Sequence, residues 1–310
     1  MSGPVTTQDT RPTDAAPAPD RGPVFERMPS RVADVAGTPV HRALPRRGRR
    51  TVGAWCFADH AGPGAPAAQM HIGPHPHMGL QTVTWLVEGE VLHTDSLGSE
   101  QLIRPGQLNL MTAGRGVAHA EESRGSGGMH AVQLRVAQPE ATRHDDAAFE
   151  HHAELPRISV GDVGVTVIVG ALGDARSPAR TDSPLVGLEL AIGGGVGELP
   201  LDASFEHALL VLTGTLVVDD GEEVAPDVLV YLGMGRSSLR VSASQPCRAL
   251  LLGGEPFGEE VLMWWNFVAR TRDEVDTAYS DWQAESSRFG EVRSPLARIP
   301  APPPLWMHSG

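Results

Sequence analysis

The chain has 310 residues, with 38 acidic against 25 basic side chains and a formal net charge of -13. That length allows about two domains, and hydrophobic and charged fractions of 41% and 20% exclude global disorder. The acidity opposes direct nucleic-acid binding, two cysteines exclude a disulfide framework or thiolate zinc site, and no apolar run reaches the roughly 18 residues of a membrane span.

Residues 1–24 are rich in Pro, Ala, Thr and Asp and read as a disordered tail without the apolar core of a signal peptide, so a cytoplasmic location is expected. Short strands follow. Gln81–Val87 alternates, with Thr82, Thr84 and Leu86 on one face and Val83, Trp85 and Val87 on the other. Glu88-Gly89 then turns the chain into Glu90–His93. Leu102-Ile103, Pro105-Gly106 and Leu108–Met111 read as strand, tight turn and strand, and Ala131–Ala137 alternates again. The pattern recurs: Leu86-Val87-Glu88-Gly89-Glu90-Val91 is echoed by Leu212-Thr213-Gly214-Thr215-Leu216, and Pro105 with Leu108-Asn109-Leu110 by Pro226 with Val228-Leu229-Val230. An all-β chain of two β-barrels is predicted, over residues 25–140 and 157–256, with a linker at 141–156. Residues 257–292 add a strand and one short helix that packs on the barrels. Thr271-Arg272-Asp273-Glu274 has capping-box spacing, Val275, Ala278, Tyr279 and Trp282 share a face, and Gly290 is an end signal. Residues 293–310 form a Pro-rich tail in which Leu305 and Trp306 can dock on the body. A chain with two barrels needs no second copy to fill them, so a monomer is expected.

His75-Pro76-His77 and His119-Ala120-Glu121 carry the chemistry. On a strand, residues i and i+2 share a face, so each triplet presents two ligands side by side. Two such pairs on neighbouring strands give three imidazoles and a carboxylate, a set that suits Fe(II), Mn(II), Ni(II), Cu(II) or Zn(II) and leaves coordination positions open. With 13 histidines, one H-x-H pair is expected about half the time by chance, so spacing alone leaves the metal site at even odds.

The surrounding residues decide the matter. The segment from His75 through Met78-Gly79-Leu80-Gln81 to Val91, and the segment Leu110-Met111-Thr112-Ala113-Gly114-Arg115-Gly116-Val117-Ala118-His119-Ala120-Glu121, resemble the two signatures of the pirins, which are two-domain cupins. His93-Thr94-Asp95-Ser96-Leu97-Gly98 also fits, and the resemblance covers about residues 35–290. It implies a bicupin of jelly-roll barrels with one Fe(II) in the N-terminal barrel, held by His75, His77, His119 and Glu121, and a C-terminal barrel without metal. Met78, Leu80 and Gln81 stand where pirins usually have arginine, phenylalanine and glutamate. Loss of the arginine removes a positive charge near the site's mouth.

The resemblance further implies an oxidoreductase like quercetin 2,3-dioxygenase, with O2 and a small aromatic flavonol- or enol-type substrate. Glu121 would act as the catalytic base on the flavonol 3-hydroxyl, and Trp85, Leu80 and Met111 are candidate pocket walls. The alternative is a non-catalytic, iron-dependent redox sensor whose protein partner is a metabolic enzyme or transcription factor.

Other residues have plainer readings. Aligning Gly89 with Gly214 puts Pro200 and Asp202 opposite His75 and His77, so the second barrel keeps no histidine pair. Glu206 and His207 read as surface or turn residues on opposite faces. His71 reads as a solvated strand-edge residue, His60 and His130 have no partner at ligand spacing, and His151-His152 is expected to be exposed. Cys56 and Cys247 read as buried thiols, and Gly193-Gly194-Gly195 as a loop between strands.

Overall fold

A computed structural model describes residues 22–35, 38–66, 71–125, 127–219 and 221–308. Residues 1–21, most of the expected N-terminal tail, lie outside that set. The architecture is all-β, two barrels and one helix, as the strand spacing predicts. In the first barrel a seven-stranded sheet, in the order 148–152, 108–112, 80–88, 128–137, 55–66, 38–44, 31–35, covers a four-stranded sheet in the order 71–77, 117–124, 90–95, 100–103. The second barrel repeats both orders: 23–29, 228–233, 206–213, 247–254, 185–192, 163–169, 157–160 over 195–200, 238–243, 216–218, 222–224. The echo around Gly89 and Gly214 is therefore an echo of topology.

The two seven-stranded sheets lie against each other. One buried cluster joins Leu44, Trp55, Val83, Trp85 and Val132 of the first barrel to Leu185, Ala208, Leu210, Tyr231 and Leu252 of the second. This explains why Leu80–Glu88 is buried on both faces: the Thr82 face looks into its own barrel, and the Val83 and Trp85 face meets the other. Trp55 Nε1 donates across the junction to the carbonyls of Val186 and Gly253, at 3.2 and 3.1 Å.

Two segments sit in the barrel that their sequence position does not suggest. Pro23–Pro29 pairs antiparallel with Val228–Gly233, so it is an edge strand of the second barrel and not the start of the first. Ala148–His152, inside the expected linker, pairs with Leu108–Thr112 of the first. Both are long-range pairings with no local turn chemistry to announce them.

The C-terminal part follows the predicted pattern with a different end. Thr271 caps the helix Arg272–Gln283 and accepts from Glu274 N, and Val275, Ala278 and Trp282 are buried. The Glu274 carboxylate turns to Arg270 N, at 2.9 Å, and to Arg143. The helix stops at the Ala284 cap, and Gly290, with φ 69°, instead shapes a bend against Ser96. The Pro-rich tail is docked: Ile299 N donates to Pro74 O at 2.9 Å, and Trp306 Nε1 to Asp276 at 2.7 Å. No helix among the described residues is long and apolar enough to cross a membrane.

Both cysteines are buried, and burial pushes Cys56 up to about 12 and Cys247 to about 11. Three histidine readings are corrected. His60 and His130 face each other, Nε2 to Nε2 at 2.8 Å, and His60 Nδ1 meets Asp227 of the second barrel at 2.6 Å. Their strands lie side by side, a proximity that sequence spacing does not show. His207 and Glu206 are 1% and 6% exposed within Glu206–Thr213, because that strand is central in its sheet.

Burial pushes both His130 and His207 down to about 4. An unfolded histidine titrates near 6.5, so between about pH 6.5 and pH 4 the unfolded chain binds protons that the folded chain does not. Stability should hold above pH 6.5 and fall below it, by about 1.4 kcal/mol per pH unit for each group. Urea midpoints at pH 7.5, 6 and 5 would measure the slope, and His207→Gln should make it shallower.

Candidate metal centre

The strand His71–His77 is the edge of the four-stranded sheet, where Pro76 costs no interior ladder bond. It pairs antiparallel with Val117–Arg124 in a register that sets His119 opposite His75. His75, His77 and His119 point into the barrel with their ligand nitrogens all within 4.8 Å of one another, and each residue is 1% exposed. His77 Nε2 and His119 Nε2 are 3.0 Å apart. The register shifts between His119 and Glu121, placing Glu121 opposite Ile72. Glu121 is 5% exposed and lies outside the group that the three histidines form.

Hydrogen bonds assign the tautomers. His75 Nδ1 donates to Gly73 O at 2.9 Å, which leaves its Nε2 as a lone pair. His119 Nδ1 meets His93 Nδ1 at 3.2 Å, and His93 Nε2 meets Asp95 Oδ2 at 3.1 Å. A carboxylate accepts only, so His93 carries its proton on Nε2, accepts from His119 with Nδ1, and leaves His119 Nε2 as a lone pair. Burial alone would raise the Asp95 carboxyl, but hydrogen bonds from His93 and the Ser99 backbone outweigh it and hold the group below its ordinary range. Asp95 Oδ1 also accepts from Leu97 N and Ser99 N, each at 2.9 Å. His93 stacks on Phe149, centroids 4.4 Å apart and planes 14° apart.

Burial pushes all three converging histidines well below the ordinary range, so they are neutral at pH 7. His77 and His119 face each other through Nε2, and the Nδ1 of His77 has no hydrogen-bond partner. Three neutral imidazoles with such an arrangement fit a divalent transition metal. The donor set does not choose among such metals.

Residues 37–136 match the pirin family and residues 189–290 the pirin C-terminal cupin domain. The chain belongs to the pirin family. A Pseudomonas aeruginosa protein named, provisionally, for quercetin 2,3-dioxygenase is 46% identical over 91% of both chains. A Caulobacter vibrioides pirin-like protein is 36% identical over 85% of this chain and 94% of its own. A crystal structure of quercetin 2,3-dioxygenase from Acinetobacter baumannii superposes with a TM-score of 0.86 at 44% identity, covering 90% of this chain and 95% of that one.

Details of the pirin site differ from the sequence expectation. Met78 is turned away from the histidines: it packs with Trp282 and Phe289, and its Sδ accepts at 2.8 Å from Arg288, whose guanidinium also pairs with Asp281 at 3.0 Å. Gln81 donates to Thr112 Oγ1 across its strand pair. Trp85 is no pocket wall, because its face of the sheet is turned to the second barrel. Leu80 packs with Cys56 and Met263, and Met111 with Ala113 and Val117. The His93–Asp95 pair was missed, although His93-Thr94-Asp95 repeats the i, i+2 spacing that singled out His75 and His77. Phe149, its stacking partner, lies in the stretch read as a linker.

Gly73 is constrained twice. Its carbonyl holds His75, and an added Cβ would collide with the Ala297 carbonyl of the docked tail. Gly73→Ala should therefore lower both the unfolding midpoint and the bound metal per chain, measured by calorimetry and elemental analysis. His93→Phe keeps an aromatic ring on Phe149 but removes both nitrogens. Metal affinity should fall about 10- to 100-fold in chelator competition, and the unfolding midpoint should also fall, because the buried Asp95 carboxylate loses its imidazole partner.

Proposed function

We propose that the chain is an O2-dependent dioxygenase for flavonol- or enol-type substrates, holding one iron ion through His75, His77, His119 and Glu121. The observation that carries this reading is the closed group of three buried, neutral imidazoles in the first barrel of a chain that superposes on a quercetin 2,3-dioxygenase structure. Bound there, the metal would supply Lewis acidity toward a substrate oxygen and redox chemistry toward O2.

The chain's own residues do the rest. Gly73 O and the His93–Asp95 pair fix the tautomers of His75 and His119, so each offers a lone pair without reorganising. Glu121, buried two residues beyond His119 on the same strand, takes the substrate hydroxyl proton at a carboxylate oxygen. The barrel around them excludes water from the enolate this leaves. Buried charge is also provided there: Arg42 pairs with Asp59 through two bonds of 2.7 Å, and the guanidiniums of Arg42 and Arg135 each lie 4.8 Å from the Phe57 ring centre.

The test is oxygen uptake by anaerobically iron-loaded protein on addition of quercetin. Saturable uptake with release of carbon monoxide, absent in His75→Ala, is expected; no uptake from protein shown to hold one iron would overturn the reading. Glu121→Gln should lower turnover by about 100-fold or more while the iron content falls far less. Equal losses of both would leave Glu121 a ligand alone.

A further inference from the structure

The second barrel holds a cavity of about 290 Å³ where the first holds its histidines. Pro200 and Asp202, opposite His75 and His77 when Gly89 is aligned with Gly214, both line it. Its strands Gly195–Pro200 and Ser238–Ala243 pair antiparallel as His71–His77 and Val117–Arg124 do. The metal ligands are gone, yet one imidazole remains. His207, opposite Thr82 in the same alignment, lines the cavity and is 1% exposed. Its ring stands at the wall of an open space, where the proton of an incoming donor can meet it.

We propose that this cavity binds a small, neutral aromatic alcohol, a single phenolic ring whose hydroxyl donates to the His207 imidazole. Size sets the first limit: a cavity of about 150 Å³ takes benzene, and drug-sized ligands occupy about 300–1,000 Å³. The volume here suits one ring with a short substituent. The walls supply the apolar contact, from Leu172, Leu188, Leu251 and Phe205. Charge sets the second limit. Burial pushes His207 down to about 4, so the ring is neutral at pH 7 and accepts a proton donor. The exposed Arg176 and the Asp202 carboxylate both line the cavity and offset each other, which favours neither an anion nor a cation. Gly253 belongs to the same construction, since a Cβ there would press on the His207 ring.

Phenol is the probe, titrated into metal-loaded full-length protein and followed by carbon-13 methyl NMR and calorimetry. The methyl signals of Leu172, Leu188 and Leu251 should shift saturably, while benzoate at equal concentration leaves them in place. His207→Leu should weaken phenol about three- to tenfold, the worth of one hydrogen bond, and leave benzene within about twofold. His207→Gln, which restores an acceptor, should recover most of the phenol affinity and guards against misfolding of the leucine variant. The proposal is overturned by an absence of saturable shifts up to about 10 mM phenol, by His207→Leu binding phenol as well as the parent, or by shifts confined to Leu80 of the first barrel. The outcome is separable from the dioxygenase reading, because quercetin-dependent oxygen uptake should be unchanged in His207→Leu.

Discussion

Three imidazoles can meet only if His71–His77 pairs with Val117–Arg124 in one register. A slip of one residue would turn His119 away from the interior and bring Ala118 in, because side chains alternate with a period of two. Much of the surrounding structure holds that register. The shift between His119 and Glu121 gives the edge strand an extra residue at Gly73-Pro74, and the docked tail bonds there through Ile299 and Pro74. On the outward face, Met78 and Ala118 pack with Trp282 and Phe289, so the helix and the segment after it act as a splint on the two ligand strands. The C-terminal residues contribute no ligand, but they fix the strands that do.

The two barrels show how one topology accommodates different interiors. The second is built mainly of Val, Leu and Ile, among them Val165, Leu190, Leu209 and Val241, around its cavity. The first carries a buried Arg42–Asp59 pair, Arg135, Glu121 and the histidines. Burial brings Arg135 down to about 10 even with Asp59 opposing the change. Removing one member of such a buried pair would leave a stranded charge at about 3–5 kcal/mol, so the polar interior persists as a set or not at all. Function resides in that interior rather than in the fold.

What the sequence revealed follows from the range of the interactions involved. Alternation in Gln81–Val87, the Thr271 cap and the convergence of His75, His77 and His119 follow from local patterns, and the structure contains them. Apart from the His93–Asp95 pair, the contacts that the sequence does not show are long-range. His60 meets His130 and Asp227 across 70 and 167 residues, and Phe149 reaches His93 only because Ala148–His152 joins the first barrel. Glu206 and His207 are adjacent and so face opposite sides of their strand, which suggests a surface position, while the burial of a central strand depends on the sheets on either side. Trp85 could not be assigned to one barrel interior or to the junction between barrels, since alternation marks a face without saying what covers it.

The crossed edge strands bear on how the molecule comes apart. Pro23–Pro29 completes the second barrel, although the whole first barrel separates it from its partner in sequence, and Trp55 bonds across the junction. Neither barrel can therefore melt without exposing the Trp85 and Tyr231 face of the other. The shared cluster couples the two halves, so an ion bound to one half stabilises the native state of both by mass action. Hydrogen exchange deep in the second barrel would then report on occupancy of a site it does not touch.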